Sequence, residues 1–251
     1  MKFQGKTAIV TGGSRDIGRA ISVKLASEGA NVVVNYFSNE DDADATLAAI
    51  EKAGGGKAIK VKADVTKASE VDALIEAARS EFGGNVDILV NNAGGLVARK
   101  TLGEMDEEFF NQVMQLNVTS TFLATKAAAQ HMGAGAAIVN LASLAGRDGG
   151  GGGASAYATS KGAVMTFTRA MAKELGPKGI RVNALCPGMI ATAFHDNFTP
   201  DAARENVANS TPLKRQGHAE ETADLVVYLA SDAASFINGA NIDINGGLAF
   251  S

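Results

Sequence analysis

Tyr157 and Lys161 lie four residues apart in this chain, and on a helix that spacing puts both side chains on one face. A free phenol has a pKa near ~10, too high for a base at neutral pH. An ammonium about 4–5 Å away, at an effective dielectric of about 20, favours the phenolate by roughly 3–4 kcal/mol, or roughly 2–3 pK units. Solvent trims that figure, but such a pair can hold and move a proton. Upstream lie Ser143 and a run of five glycines, Gly149 to Gly153. The same Tyr–Lys spacing occurs on ordinary exposed helices, so the elements that hold the pair must decide what it does.

Those elements belong to a chain of 251 residues with 46% apolar content, enough for one large core. A net charge of -4 gives no electrostatic footprint for nucleic acid. The single cysteine, Cys186, has no partner for an internal disulfide, which fits a reducing compartment. The apolar run ending at Thr11 is too short for a signal segment, and no stretch reaches membrane-span length. These features predict a cytoplasmic protein with no membrane partner. No cluster of metal-ligating residues is expected.

Lys6 to Thr11 reads as a buried strand, followed by a glycine turn from Gly12 to Gly18 and a helical pattern over Arg19 to Glu28. Val32 to Val34 is a second strand. Strand, glycine turn, helix and strand open a dinucleotide-binding fold, because small residues admit a pyrophosphate and the helix start offers unpaired N–H groups. The pattern recurs. Helices are expected over Glu40–Ala53, Ser69–Phe82, Phe109–Met132, Ala154–Leu175 and Ala219–Ala230. Strands are expected over Ala58–Ala63, Val86–Val90, Ala136–Leu141, Ile180–Leu185 and Ala240–Ile244. The alternation predicts an α/β fold: a doubly wound (Rossmann) parallel sheet of about seven strands with helices on both faces. Residues 1–251 form one domain, the glycine run is a mobile loop, and residues 189–212 form a mobile lid. Ligands bind beyond the carboxyl ends of such strands, where Gly12, Asp64, Asn91, Ser143, Pro187 and Gly188 fall.

Thr11 with Gly12 and Gly18, the Asn91–Gly94 turn, Asn117, Ser143 with Tyr157 and Lys161, and Pro187–Gly188 with Thr192 occur in that order. With these motifs the chain resembles the short-chain dehydrogenase/reductases over its whole length. The resemblance implies hydride transfer between a nicotinamide cofactor and a small carbonyl or secondary alcohol. It makes Tyr157 the proton donor or base and Ser143 a hydrogen-bond donor to the carbonyl oxygen. Lys161 lowers the phenol pKa and holds the nicotinamide ribose, and Asn117 holds a relay water. The cofactor would meet Gly12, Ser14, Arg15, Ile17 and Gly18 at its phosphates. Asp64 and Val65 would flank the adenine, and Asn91, Ala93 and Gly94 the central path. Pro187, Gly188, Ile190 and Thr192 would meet the carboxamide end.

Two departures stand out. Asp16 replaces the family's middle glycine near the phosphates, which would repel it if it faced them; it can instead cap a helix starting at Ile17, and the cofactor is expected still to bind there with some rearrangement of the turn. The Ser143–Tyr157 gap is one residue longer than usual, within the glycine run. NAD-preferring members resemble one another in an acid at the end of the second strand, but here Asn35, Tyr36, Phe37 and Ser38 precede Glu40. With Arg15 facing a 2′-phosphate, and Ser38 or Asn35 adding hydrogen bonds, NADP is favoured, with NAD as the other choice. Overall the chain is similar to oxoacyl-carrier-protein reductases and to sugar and polyol dehydrogenases. The absence of Lys or Arg between Lys126 and Arg147 favours a free small molecule over an acidic carrier protein. A catalytically silent binding protein on the same fold is a third reading. Relatives of this kind imply a homotetramer, with Ala124, Ala127, Ala128, Ala163 and Ala170 expected at helix–helix interfaces.

Overall fold

A computed structural model describes residues 1–250, with residue 197 described by its backbone alone. The chain runs β1 (Thr7–Val10), α1 (Asp16–Ser27), β2 (Asn31–Tyr36), α2 (Glu40–Ala53), β3 (Ala58–Lys62), α3 (Ala68–Phe82) and β4 (Ile88–Asn91). Then come α4 (Glu107–Met114), a π-helical turn (Gln115–Thr119), α5 (Ser120–Ala129), β5 (Ala137–Leu141), α6 (Ala145–Asp148) and α7 (Ser155–Leu175). The remainder is β6 (Arg181–Pro187), α8 (Ala193–Phe198), α9 (Asp201–Ser210), α10 (Ala219–Ala230) and β7 (Asn241–Ile244). All seven strands pair in parallel in the order β3-β2-β1-β4-β5-β6-β7. The order reverses between β1 and β4, and that switch point opens the ligand crevice.

The central strands β1, β4 and β5 are mostly apolar on both sides because both sheet faces are covered there. Ala8, Val10, Val32 and Val34 meet Ile21 and Leu25 of α1 and Val226 and Leu229 of α10. Ile9, Val33 and Leu89 point the other way, onto Leu74 of α3, Ala124 and Ala128 of α5 and Leu175 of α7. Among the described residues no helix is long and apolar enough to cross a membrane.

The expected helix over Phe109–Met132 is instead two helices joined by the π turn. Asn117 sits in that turn, fully buried. Its Nδ2 donates to the carbonyls of Val113 and Gly95, both at 2.9 Å. A widened turn of this kind leaves no trace in hydrophobic spacing. The interface expectation also changes. Ala124, Ala127 and Ala128 are buried inside the subunit against α3 and the sheet, because α5 is an inner helix. The outward face carries Phe122 instead, edge-on to Phe167 at 6.5 Å.

Candidate active site

The cleft at the switch point is about 890 Å³ and runs from the glycine turn to Tyr157. Its first wall is held from behind by two asparagines. Asn35, buried in β2, accepts from Gly12 N–H at 3.0 Å and donates to the Ala63 carbonyl at 3.1 Å. Its amide is therefore committed to the backbone and is not offered to a cofactor phosphate, unlike the sequence expectation. Asn35→Ala leaves those buried groups unpaired and is expected to cost about 1–3 kcal/mol, read by chemical denaturation. Asn92 donates to the carbonyls of Thr11 and Gly12 at 3.0 and 2.9 Å. Asn91, its neighbour, points away from the cleft and donates to Asn140 and Thr125 beneath it. Strand alternation separates the two, so the central path is lined by Asn92, Ala93 and Gly94 rather than by Asn91.

Ser14, Arg15, Ile17, Tyr36, Ser38, Asp64 and Val65 line the cleft from the glycine turn to the ends of β2 and β3. The Arg15 side chain is 60% exposed, with Asp16 Oδ2 3.6 Å away. Asp16 does not cap α1. The residue flanking the helix is Arg15, and Asp16 sits in the left-handed region at φ 50°. Its Oδ1 instead accepts from the N–H of Ala193 at 3.0 Å, at the start of α8.

The other end is built on β5 and α7. Ser143 follows β5, and α6 then packs tightly on α7: a Cβ on Gly146 would lie 2.8 Å from Gly162 N. That close approach sets Ser143 in the same wall as Tyr157 and Lys161. Lys161 is buried, and its Nζ donates to the Leu141 carbonyl at 2.7 Å. Burial draws its pKa down to about 8. Burial also holds the Tyr157 phenol above its ordinary value, while a hydrogen bond with Ser143 works in the other direction. The expected lowering by Lys161 is thus opposed by desolvation, which penalises phenolate and ammonium alike. Asn117 accepts from Gly95 N–H at 3.0 Å, so its side chain holds the loop after β4 rather than presenting a free amide. A Cβ on Gly94 would lie 2.5 Å from Asn117 Oδ1 and 3.1 Å from Lys161 Nζ, so a glycine is required there.

Pro187, Gly188, Ile190 and Thr192 line the same cleft and lead into α8. Three features of this end had no signal in local spacing. The ring of Phe194 lies 5.9 Å from that of Tyr157. His195 is drawn down to about 4 by burial and by Arg204 and Arg99, so it is neutral at physiological pH. Arg99 Nη1 donates to the Gly152 carbonyl at 2.8 Å, and Lys100 N–H to that of Gly153 at 3.0 Å. The glycine run is therefore pinned to the loop after β4. The glycines and the long crevice fit an extended dinucleotide, whose phosphates would meet the backbone of residues 12–18 and whose nicotinamide end would meet Tyr157 and Lys161.

Comparison with known proteins agrees with this architecture. The family model described as enoyl-(acyl carrier protein) reductase matches residues 12–249. The chain is 42% identical to a 3-oxoacyl-(acyl-carrier-protein) reductase of Synechocystis sp., over 97% of this chain and 96% of that protein. It is 39% identical to glucose 1-dehydrogenase 2 of Bacillus subtilis, over 97% and 95% respectively. A short-chain dehydrogenase/reductase from Serratia marcescens superposes with a TM-score of 0.93 at 38% identity, covering 100% of both chains. The chain belongs to the short-chain dehydrogenase/reductase family and is an NAD(P)-dependent oxidoreductase acting on carbonyl and alcohol groups.

Proposed function

We propose that this enzyme prefers NADP(H) and acts on a free small carbonyl or secondary alcohol, with Tyr157 moving the proton. The observation that carries the reading is the meeting of Ser143, Tyr157 and Lys161 in one wall of a crevice that begins at the glycine turn. When bound, the nicotinamide supplies or accepts the hydride. Ser143 donates a hydrogen bond to the carbonyl oxygen, where alkoxide charge grows in the transition state. Tyr157 gives that oxygen a proton in reduction and takes it back in oxidation. Lys161 offsets the charge left on the phenol and holds the ribose hydroxyls. Asn117 keeps Gly94 and Gly95 beside Lys161.

The NADP preference is supported by the lack of an acid at the end of β2 and by the exposed Arg15 guanidinium, which lines the same cleft as Tyr36 and Ser38. Titration with NADPH and NADH tests it, and tighter NADH binding would overturn it. For the substrate, the aromatic ring of Phe194, 5.9 Å from that of Tyr157, supports a small carbonyl compound with an apolar part. The likeness to a 3-oxoacyl-carrier-protein reductase favours a second reading. Rates on acetoacetyl thioesters against a panel of sugars, ketones and alcohols separate the two, and a dominant thioester rate selects the second. The exposed Phe122, packed edge-on to the half-buried Phe167, supports association of copies through α5 and α7, as in the homotetramer expected from the sequence, and light scattering giving a monomer would refute the assembly.

The pH dependence follows from Lys161. Below about 8 it is an ammonium, and above that pH it loses the charge that stabilises the developing phenolate. The rate of reduction, kcat/KM, is expected to fall as pH rises through about 8. A Lys161→Met variant should lack that limb in a pH profile taken with saturating cofactor.

A further inference from the structure

Helix α8 is only six residues long, too short to hold its shape alone. It also lacks a cap of its own: Thr192, at its start, turns its hydroxyl back to the Ile190 carbonyl at 3.2 Å. Two distant charged side chains supply what is missing. At the N-terminal end, Asp16 Oδ1 accepts from Ala193 N–H at 3.0 Å. At the C-terminal end, Arg99 Nε donates to the Phe198 carbonyl at 2.8 Å. An anion at the start and a cation at the end both complement the helix dipole, and both contacts are charge-assisted hydrogen bonds.

We propose that Asp16 and Arg99 are positioning residues that clamp the lid helix from its two ends and so set Phe194 against Tyr157. The idea rests on the reading of Tyr157 as the proton-transferring residue. The clamped helix carries an aromatic group into the site: Phe194 packs 5.9 Å from Tyr157, 5.2 Å from Phe198 and 5.1 Å from His195. Each clamp grows from a different part of the cleft. Asp16 belongs to the glycine turn, whereas Arg99 also holds the glycine run through Gly152. The lid is thereby registered against both the cofactor end and the substrate rim. The geometry also gives Asp16 a reason to stand where the family resemblance expects glycine. It adopts φ 50°, a conformation that glycine takes freely, and its carboxylate uses that position to reach the lid. The neighbouring Arg15 guanidinium, 3.6 Å away, is the other charged group at that carboxylate.

The test uses the full chain with saturating NADPH and a carbonyl substrate that it turns over. Asp16→Gly removes the acceptor while supplying the residue that this backbone favours. Its Tm is expected to hold or rise, while KM for the carbonyl rises roughly tenfold with a smaller change in kcat. Arg99→Ala is expected to raise KM by a similar factor. The double variant should do little more than either single one, because releasing one end already frees the helix. Asp16→Asn keeps an acceptor and Arg99→Lys keeps a donor, so both should recover most of the loss. Trypsin should cut after Arg204, in α9 next to the lid helix, faster in Asp16→Gly and Arg99→Ala, a readout that needs no turnover. Wild-type KM together with a wild-type cutting rate in those two variants would overturn the clamp. So would tighter NADPH binding in Asp16→Gly with nothing else changed, since that marks simple repulsion of the phosphates. Failure of the Tyr157 reading shows separately, as a Tyr157→Phe enzyme that still turns over, and leaves the cutting rates to judge the clamp.

Discussion

Replacing Tyr157 by Phe is expected to lower kcat/KM for the carbonyl substrate by about 100-fold to about 10,000-fold, with the fold and cofactor affinity preserved. The substitution removes one hydroxyl and keeps the ring. The packing against Phe194 and the adjoining residues of α7 therefore survives. The glycine turn is untouched, and Lys161 still donates to the Leu141 carbonyl. What disappears is the hydroxyl beside Ser143 that, in the proposed reaction, passes a proton to the reacting oxygen. Ser143 alone can polarise a carbonyl but, as an ordinary hydroxyl, cannot supply a proton at a useful rate. Steady-state kinetics and a fluorescence titration with NADPH measure the two halves of this expectation. Turnover within tenfold of wild type would remove Tyr157 from the chemistry.

Gly18→Ala should be the most damaging change at the cofactor end. The Gly18 backbone is not left-handed, so steric contact alone decides the outcome. An added Cβ would lie 2.0 Å from the Gly12 carbonyl oxygen and 2.7 Å from Asn92 Nδ2. The Gly12 carbonyl cannot retreat freely, because Asn92 donates to it at 2.9 Å and Asn35 holds the Gly12 N–H at 3.0 Å. Displacing that turn moves the N–H groups on which the phosphates would sit. Loss of cofactor affinity by about 100-fold or more is expected, with destabilisation of about 1–3 kcal/mol from overpacking. Calorimetric titration and denaturant unfolding read the two effects. Gly103→Ala is the matched control, because its Cβ would meet nothing within 4 Å. A Gly18→Ala enzyme that binds cofactor like wild type would contradict the packed turn.

Both predictions start from residues that were legible without a structure. Gly18 follows a buried strand and opens a helix, and Tyr157 shares a helical face with Lys161, so local periodicity was enough to single them out. The alternation of apolar runs with amphipathic stretches likewise implied the parallel sheet, since a strand covered on both faces must be apolar throughout. Boundaries moved by a few residues. Two stretches differ in kind: the lid segment, which holds the short helices α8 and α9, and the stretch around Asn117, where a π turn divides the helix. Such a turn arises when a side chain competes for main-chain groups, here Asn117 with the Val113 and Gly95 carbonyls, and hydrophobic spacing does not register that competition.

What the sequence determined by itself was therefore the sheet, the family, the reaction class and the residues most suited to the chemistry. Each is written in short-range spacing or in motifs that stand at strand ends. What only the tertiary structure decided was how those residues are held and who their neighbours are. Asn91 went beneath the cleft and Asn92 into its wall, Asn35 was spent on the glycine turn, and burial rather than Lys161 came to dominate the phenol. Asp16 reached Ala193, a residue 177 positions away in sequence. The reason is physical: a hydrogen bond between distant segments, and the dielectric around a side chain, depend on where the chain returns in space. No local pattern of residue types encodes that return.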